Sequence, residues 1–356
     1  MVHLRKPVSK SRSKPRPAVE RAAGELALLN TIRARAAEIG HSQKGNSRVR
    51  LGIGDDCALL RPKAKEELAV TTDLSIEGRH FRLDWHPPES VGHRTLARGL
   101  SDLAAMGARP VAAFLSLGLS RELTVGRAAW VDRFLDGFLA LAHEYSTPLA
   151  GGDLAESPMV VADIVLLGAV PQGKALLRSG ARPGHLLYVT GALGGSAAGL
   201  AELEKHSRRK APAPNKTGPD KRGQRPLAPH LWPQPRVVQG IWLRRRNAAT
   251  AAIDLSDGLS TDLHHLCEES HVSAEIDAEA LPLHTRATLH QALHGGEDYE
   301  LLFTARPDRV LPRAISGVPV TKIGRIVKTR SGQPRVFLLE QSGRHPIHPG
   351  GWEHFS

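Results

Sequence analysis

Cysteine is nearly absent from this chain of 356 residues: only Cys57 and Cys267 occur, far apart in sequence. That excludes a disulfide framework or a cysteine-based metal site and makes a reducing cytoplasm the expected setting. Long apolar runs are missing too. The best candidate, residues 159–170, is interrupted by Asp163, so no membrane span is predicted. The N-terminal MVHLRKPVSKSRSKPRP is basic, but no hydrophobic segment of signal-peptide length follows it, which argues against secretion. Aromatic residues amount to 4% and are absent from the two most basic segments, as a stacking platform for single-stranded nucleic acid would not allow.

Several motifs are lacking as well. There is no G-x-x-x-x-G-K-[ST], no H-R-D loop with a D-F-G partner, no G-x-G-x-x-G, no H-E-x-x-H and no G-x-S-x-G. The ordinary kinase, dehydrogenase, zincin and serine-hydrolase readings therefore lose their first support. The net charge of +12 would suit a nucleic-acid or anionic-surface binder, but its location argues otherwise. Residues 1–21 hold seven Lys/Arg against Glu20, residues 204–225 hold eight against Glu204 and Asp220, and the remainder balances. Both segments are rich in Pro, Ser, Gly or Asn and poor in apolar residues, and they are read as a disordered basic tail (1–21) and a basic loop (204–235). Nucleic acid is accordingly an unlikely partner.

What the chain does have is carboxylate in glycine-flanked segments: Gly54-Asp55-Asp56, Thr71-Thr72-Asp73, Ser101-Asp102, Gly151-Gly152-Asp153, Asp254, Ser256-Asp257-Gly258 and Gly295-Gly296-Glu297-Asp298. Most follow an apolar run that reads as a strand, so they are expected at strand ends around one cleft. Two bare carboxylates about 4 Å apart at an effective dielectric near 20 repel by roughly 4 kcal/mol, so such a cluster needs cations. Oxygen ligands suit Mg²⁺, which is held by a few carboxylates together with substrate phosphates. Taken singly, each segment also fits a turn, a strand end or a helix cap.

Apolar spacing predicts helices near 20–39, 89–106, 125–145, 236–247 and 260–270, and strands near 68–72, 111–119, 159–170, 186–190, 251–255, 274–276, 300–304, 320–326 and 335–339. Strands and helices mix without strict alternation, which predicts an α+β protein. The pattern restarts near residues 171–184, giving two domains, 22–170 and 171–356.

The ordered set Gly52-x-Gly54-Asp55-Asp56, Thr71-Thr72-Asp73 with Glu77-Gly78-x-His80-Phe81, Leu100-Ser101-Asp102-Leu103-Ala104-Ala105-Met106-Gly107, Gly151-Gly152-Asp153, Arg178-Ser179-Gly180-Ala181, Asp254-Leu255-Ser256-Asp257-Gly258 and Gly295-Gly296-Glu297-Asp298-Tyr299 resembles the thiamine-monophosphate kinase family over residues 22–355. The resemblance implies a two-domain PurM-like fold with mixed or antiparallel sheets flanked by helices, and a homodimer whose sheets meet at the interface. It implies ATP-dependent phosphorylation of thiamine monophosphate with several Mg²⁺ ions. Metal ligands would be Asp56, Thr71, Thr72, Asp73, Asp102, Asp153, Asp254 and Asp257, and among these Asp56, Asp73, Asp102, Asp254 and Asp257 would serve catalysis directly. Gly152, Asp153, Arg178 and Ser256 would meet ATP, and His80, Glu297 and Trp352 the thiamine phosphate. The same-fold alternative is another ATP-using member of the superfamily. Leu154, Gly195, Gly99 and Trp232 depart from the family pattern near the nucleotide.

Overall fold

The computed structural model describes residues 25–42, 48–53, 57–124, 129–208 and 227–352. The first half contains α1 (Glu25–Ser42), β1 (Val49–Leu51), β2 (Leu59–Leu60), β3 (Glu66–Ile76), α2 (Pro88–Ala105), β4 (Arg109–Leu119), α3 (Trp130–Glu144), β5 (Leu149–Glu156) and β6 (Val161–Pro171). Four of these strands form a sheet in the order β3-β6-β4-β5, antiparallel except for β4 with β5. Alternation along β6 explains its long apolar run: Ala162, Ile164 and Leu166 are buried toward the helices, while Val161, Asp163 and Val165 turn the other way.

The second half contains β7 (Leu186–Thr190), α4 (Gly195–Arg208), α5 (Ala228–Leu231), α6 (Val237–Arg245), β8 (Ala251–Asp254), α7 (Leu259–Glu269), β9 (Ser273–Asp277), α8 (Leu289–His294), β10 (Leu301–Ala305), β11 (Ala314–Ile315), β12 (Val318–Val327), β13 (Val336–Glu340) and β14 (Gly343–Ile347). Its sheet runs β14-β13-β9-β12-β7-β10-β8, with β11 beside β12. Only β13 and β9 pair in parallel.

α2 joins the halves. Phe134, Phe138, Leu96, Leu100 and Leu103 form a fully buried cluster around it that also takes in Leu243, Leu301 and Phe303 from the second half. At the α2–α6 crossing a Cβ on Gly240 would come within 1.9 Å of the Ala104 carbonyl oxygen, so the two backbones touch only because that position is glycine.

Three expectations change. β3 continues to Ile76, because Leu74, Ser75 and Ile76 find partners in Asp163, Ala162 and Val161 of β6; Asp73 therefore lies inside a strand, not at its end. α4 extends to Arg208 and α5 begins at Ala228, so the stretch read as a loop from 204 to 235 is helical at both described margins. α8 and β14 were not anticipated: α8 has six residues, held by a capping box between Thr288 and Gln291, and β14 is an exposed edge strand carrying Pro346. The basic tail and the centre of the 204–235 segment lie outside the described residues.

Candidate active site

Three carboxylates from three elements meet where α2 passes between the sheets. Asp73 comes from β3, Asp102 from the last turn of α2 and Asp254 from the end of β8, and all three line one cavity of about 730 Å³. Strand parity sets the first: Thr71, Asp73 and Ser75 face α2. The Thr71 hydroxyl donates to Asp102, and the neighbouring Ser101 hydroxyl donates to Asp254 at 2.7 Å. Consecutive residues of α2 thus tie a strand of each half to one spot.

The electrostatics are those of a cation site. Burial first, and the Asp102 charge second, push the Asp73 carboxyl up to about 7; the same two causes in the same order push Asp254 to about 7. Asp102 is also raised, chiefly by burial. One oxygen of Asp73 is buried without a hydrogen-bond partner. The last turn of α2 carries Asp102 and no basic residue, so the negative end of the helix dipole adds to the demand for positive charge. An oxygen-only donor set with an unsatisfied buried carboxylate oxygen fits a hard dication. Among the described residues no three acidic, histidine or cysteine side chains already close around one point, as suits an ion that keeps waters and phosphate oxygens in its shell.

Another part of the cavity wall is built differently. Glu297 accepts two hydrogen bonds from Arg94 Nη2, each 2.8 Å long, across the domain seam. Burial works against its charge, but Arg94 and then Arg98 hold the carboxyl below its ordinary value. Glu297 and Tyr299 both occupy left-handed backbone, with φ of 65° and 51°, which is costly for residues with a Cβ. The loop stays in place because the Glu297 N–H donates to the Ser256 carbonyl, the Tyr299 N–H donates to the Leu255 carbonyl, and the Asp298 carboxylate accepts from the N–H groups of Gly194 and Ser196 at the start of α4. His80 and Trp352 also line the cavity, and the Trp352 N–H donates to the carbonyl of Asp257.

His86 and His230 approach Nε2 to Nε2 at 3.0 Å on this side. Arg94 Nη1 and the Ser196 hydroxyl lie 3.2 and 3.0 Å from His230 Nδ1, and the Arg82 N–H donates to His86 Nδ1 at 3.1 Å. Burial, followed by Arg94, pushes His86 down to about 3 and His230 well below the usual range, so both imidazoles are neutral at physiological pH.

Of the residues expected from sequence, the structure gathers Asp73, Asp102, Asp254, Ser256, Asp257, His80, Glu297 and Trp352 around this cavity, with Thr71 bonded to Asp102. Arg178 is exposed between the halves, and its charge lowers Asp102 and Asp254. Thr72 is not gathered: alternation turns its side chain to the outer face of β3 with Val70 and Leu74. Asp153 lies within β5, exposed and in register with Ser116, away from the cavity lining. Gly152 has a packing reason of its own, since a Cβ there would meet the Leu115 carbonyl oxygen at 1.8 Å. Asp56 lies outside the described residues. Of the departures from the family pattern, Trp232 is buried against His93 and Leu231, and Gly99 lets α2 settle on Leu166. Residues missed from sequence are Arg94, Arg98, His86, His230 and Tyr299. Arg94, Arg98 and Asp102 follow one another at four-residue steps, a spacing that puts them on one helix face.

Comparison with known proteins agrees with this geometry. Residues 54–174 match the AIR synthase related protein N-terminal domain, and residues 182–337 match the AIR synthase related protein C-terminal domain. The thiamine-monophosphate kinase of Escherichia coli (strain K12) is 41% identical over 321 residues, covering 86% of this chain and 93% of that protein. The crystal structure of thiamine-monophosphate kinase from Stenotrophomonas maltophilia K279a superposes with a TM-score of 0.72 at 36% identity, covering 88% of this chain and 96% of the other. AaThiL complexed with AMPPCP and TMP superposes with a TM-score of 0.69 at 30% identity, covering 93% and 97%. With two-domain PurM-like architecture, an acid-lined cavity at the domain seam and these relatives over most of its length, the chain belongs to the thiamine-monophosphate kinase family.

Proposed function

We propose that this protein transfers the γ-phosphoryl group of ATP to thiamine monophosphate, giving thiamine diphosphate and ADP. One observation carries the reading: a single cavity lined by a cluster of buried, proton-hungry acids together with the Glu297, His80 and Trp352 surface. Two phosphorylated molecules can meet there, and AaThiL has been solved with AMPPCP and TMP, which supports assigning those two ligand classes. Asp73, Asp102, Asp254 and Asp257, with Asp56 and an oxygen of Thr71, would hold Mg²⁺, which supplies the charge neutralisation that two polyanions require. Ser256 and Arg178 belong to the nucleotide side. His80, Glu297 and Trp352 belong to the acceptor side, Trp352 offering a ring face to thiamine.

The acceptor is a phosphate monoester whose second pKa is about 6, so its oxygen is already anionic at neutral pH and needs little help from a general base. Transfer is direct and in line. An acceptor oxygen bonds to the γ-phosphorus, the bond from that phosphorus to the β–γ bridging oxygen breaks, and ADP carries the electron pair away. The protein's part is to orient the two phosphates, exclude water and hold charge in place.

A homodimer formed through the outer face of the four-stranded sheet completes the reading. Leu68, Val70 and Leu74 of β3 are 44%, 62% and 44% exposed there, an apolar stripe left uncovered by the described residues. The two cysteines are free and no described helix could cross a membrane, in keeping with a cytoplasmic enzyme. The test is incubation of purified protein with ATP, MgCl₂ and thiamine monophosphate, with free thiamine as control, and identification of the products by mass. Thiamine diphosphate formed only from the monophosphate is the expected result; no conversion overturns the assignment.

A further inference from the structure

Arg98 has no part in the roles assigned above, yet it lines the same cavity. It stands one helical turn after Arg94 and one before Asp102 on α2, and only 17% of its side chain is exposed. Its Nε lies 3.5 Å from Asp73 Oδ1, and Asp102, Glu297 and Tyr299 also face it. Holding a long cationic side chain in one pose costs rotamer entropy and desolvation, and the Asp73 contact, the one ion pair of Arg98 among the described residues, does not use a guanidinium's five donors. A residue needed only to fill space there could be aliphatic.

The position has a chemical meaning. Asp73, Asp102 and Asp254 line the cavity together with Glu297 and Trp352, and Arg98 lies beside Asp73 with its charge also acting on Glu297. On the kinase reading, which this inference rests on, that is the point where the transferred phosphoryl group passes between nucleotide and acceptor. We propose that Arg98 is a phosphate-contacting residue. Without substrate its guanidinium offsets part of the acid charge through Asp73. With Asp73's oxygens engaged by a dication and phosphate present, the planar fork turns to the phosphoryl oxygens, a geometry an ammonium cannot reproduce. The chain thus carries one of its neutralising cations covalently.

The experiment is calorimetric titration of thiamine monophosphate, and separately of thiamine, into the full-length wild type, R98M and R98K in MgCl₂, alongside turnover of each. R98M should lose roughly 10- to 100-fold in affinity for the monophosphate, the range of a charge-assisted hydrogen bond, with thiamine affinity unchanged. Its kcat/KM should fall by about 10²-fold or more, and R98K should lie between. Unchanged monophosphate affinity in R98M, or equal loss for both ligands, overturns the assignment, because a residue that only shapes the cavity does not discriminate by phosphate. If R98M fails to fold by circular dichroism, R98K decides: a monophosphate-to-thiamine affinity ratio equal to the wild type's overturns it. Wild-type protein that makes no thiamine diphosphate removes the kinase reading and Arg98 with it, whereas an active wild type whose variant discriminates monophosphate from thiamine as well as the wild type does removes Arg98 alone.

Discussion

Along β3 the inner face carries Thr71, Asp73 and Ser75 toward α2, whereas the outer face carries Leu68, Val70, Thr72 and Leu74 away from it. Eleven residues of one strand therefore serve two unlike purposes, divided by parity alone. Neighbouring threonines, indistinguishable in composition, end on opposite sides of a sheet. Motif membership says that a residue is near a site; strand parity says whether its side chain enters it.

That contrast can be broken most severely at Asp73. Asp73→Asn should lower kcat/KM by about 10³-fold, since an essential charged oxygen is removed from the site where transition-state charge is balanced. The same change should raise the melting temperature in metal-free buffer, because a buried carboxylate repelled by Asp102 disappears. A variant that is both active and no more stable would leave the inner face without its assigned role. On the outer face, Val70→Asp should convert the proposed dimer to a monomer in sedimentation equilibrium while Mg²⁺ binding persists; a wild type that sediments as a monomer overturns the dimer, and a variant that still sediments as a dimer places the interface elsewhere.

The pH response sharpens the picture further. Asp73, Asp254 and Asp298 are each held near 7, far above the ordinary aspartate value of 3.8, with burial the leading cause in every case. A group raised in the folded state contributes stability that is full below its unfolded pKa and is lost as pH rises through its folded value. Chemical denaturation in EDTA should therefore show stability falling between about pH 4 and pH 7 and levelling above that. Mg²⁺ competes with those protons, so its stabilising effect should be larger at pH 8 than at pH 6. Flat stability across this window would mean that the acids are solvated. The smallest effects separate the two threonines: Thr71→Val should cost about tenfold in kcat/KM by removing the donor to Asp102, and Thr72→Val less than about threefold. Equal losses would show that the Thr72 hydroxyl matters despite its direction.

Much of the molecule was legible in advance because its signals were local. The apolar runs that became β4, β6 and β7 and the amphipathic spacing of α2, α3 and α7 stand in the sequence, and the glycine-flanked acids marked Asp73, Asp102 and Asp254. Asp102 shows where local reading stops. Helical spacing placed it on α2, but an acid near a helix end fits a surface role equally well until Thr71 and Asp254 arrive from residues 31 and 152 positions away to close around that turn. The Arg94–Glu297 pair spans 203 positions, and the His86–His230 contact 144; neither has a local signature. Arg98 did have one, in its four-residue step to Asp102, but its meaning depends on the cavity that the second half completes.

One consequence follows from the way α2 is held. Gly240 brings α6 into backbone contact with it, and a Cβ on Gly92 would strike the Phe134 carbonyl oxygen of α3 at 1.9 Å, so the helix is wedged from two directions. Its acids and arginines cannot travel with a ligand. The cavity floor is therefore preformed, and the edge at Trp352 is pinned with it: the N–H groups of Gly350 and Gly351 donate to the hydroxyls of Ser260 and Thr261, and the Trp352 N–H to the Asp257 carbonyl, so a ligand meets a shape that is set before it arrives.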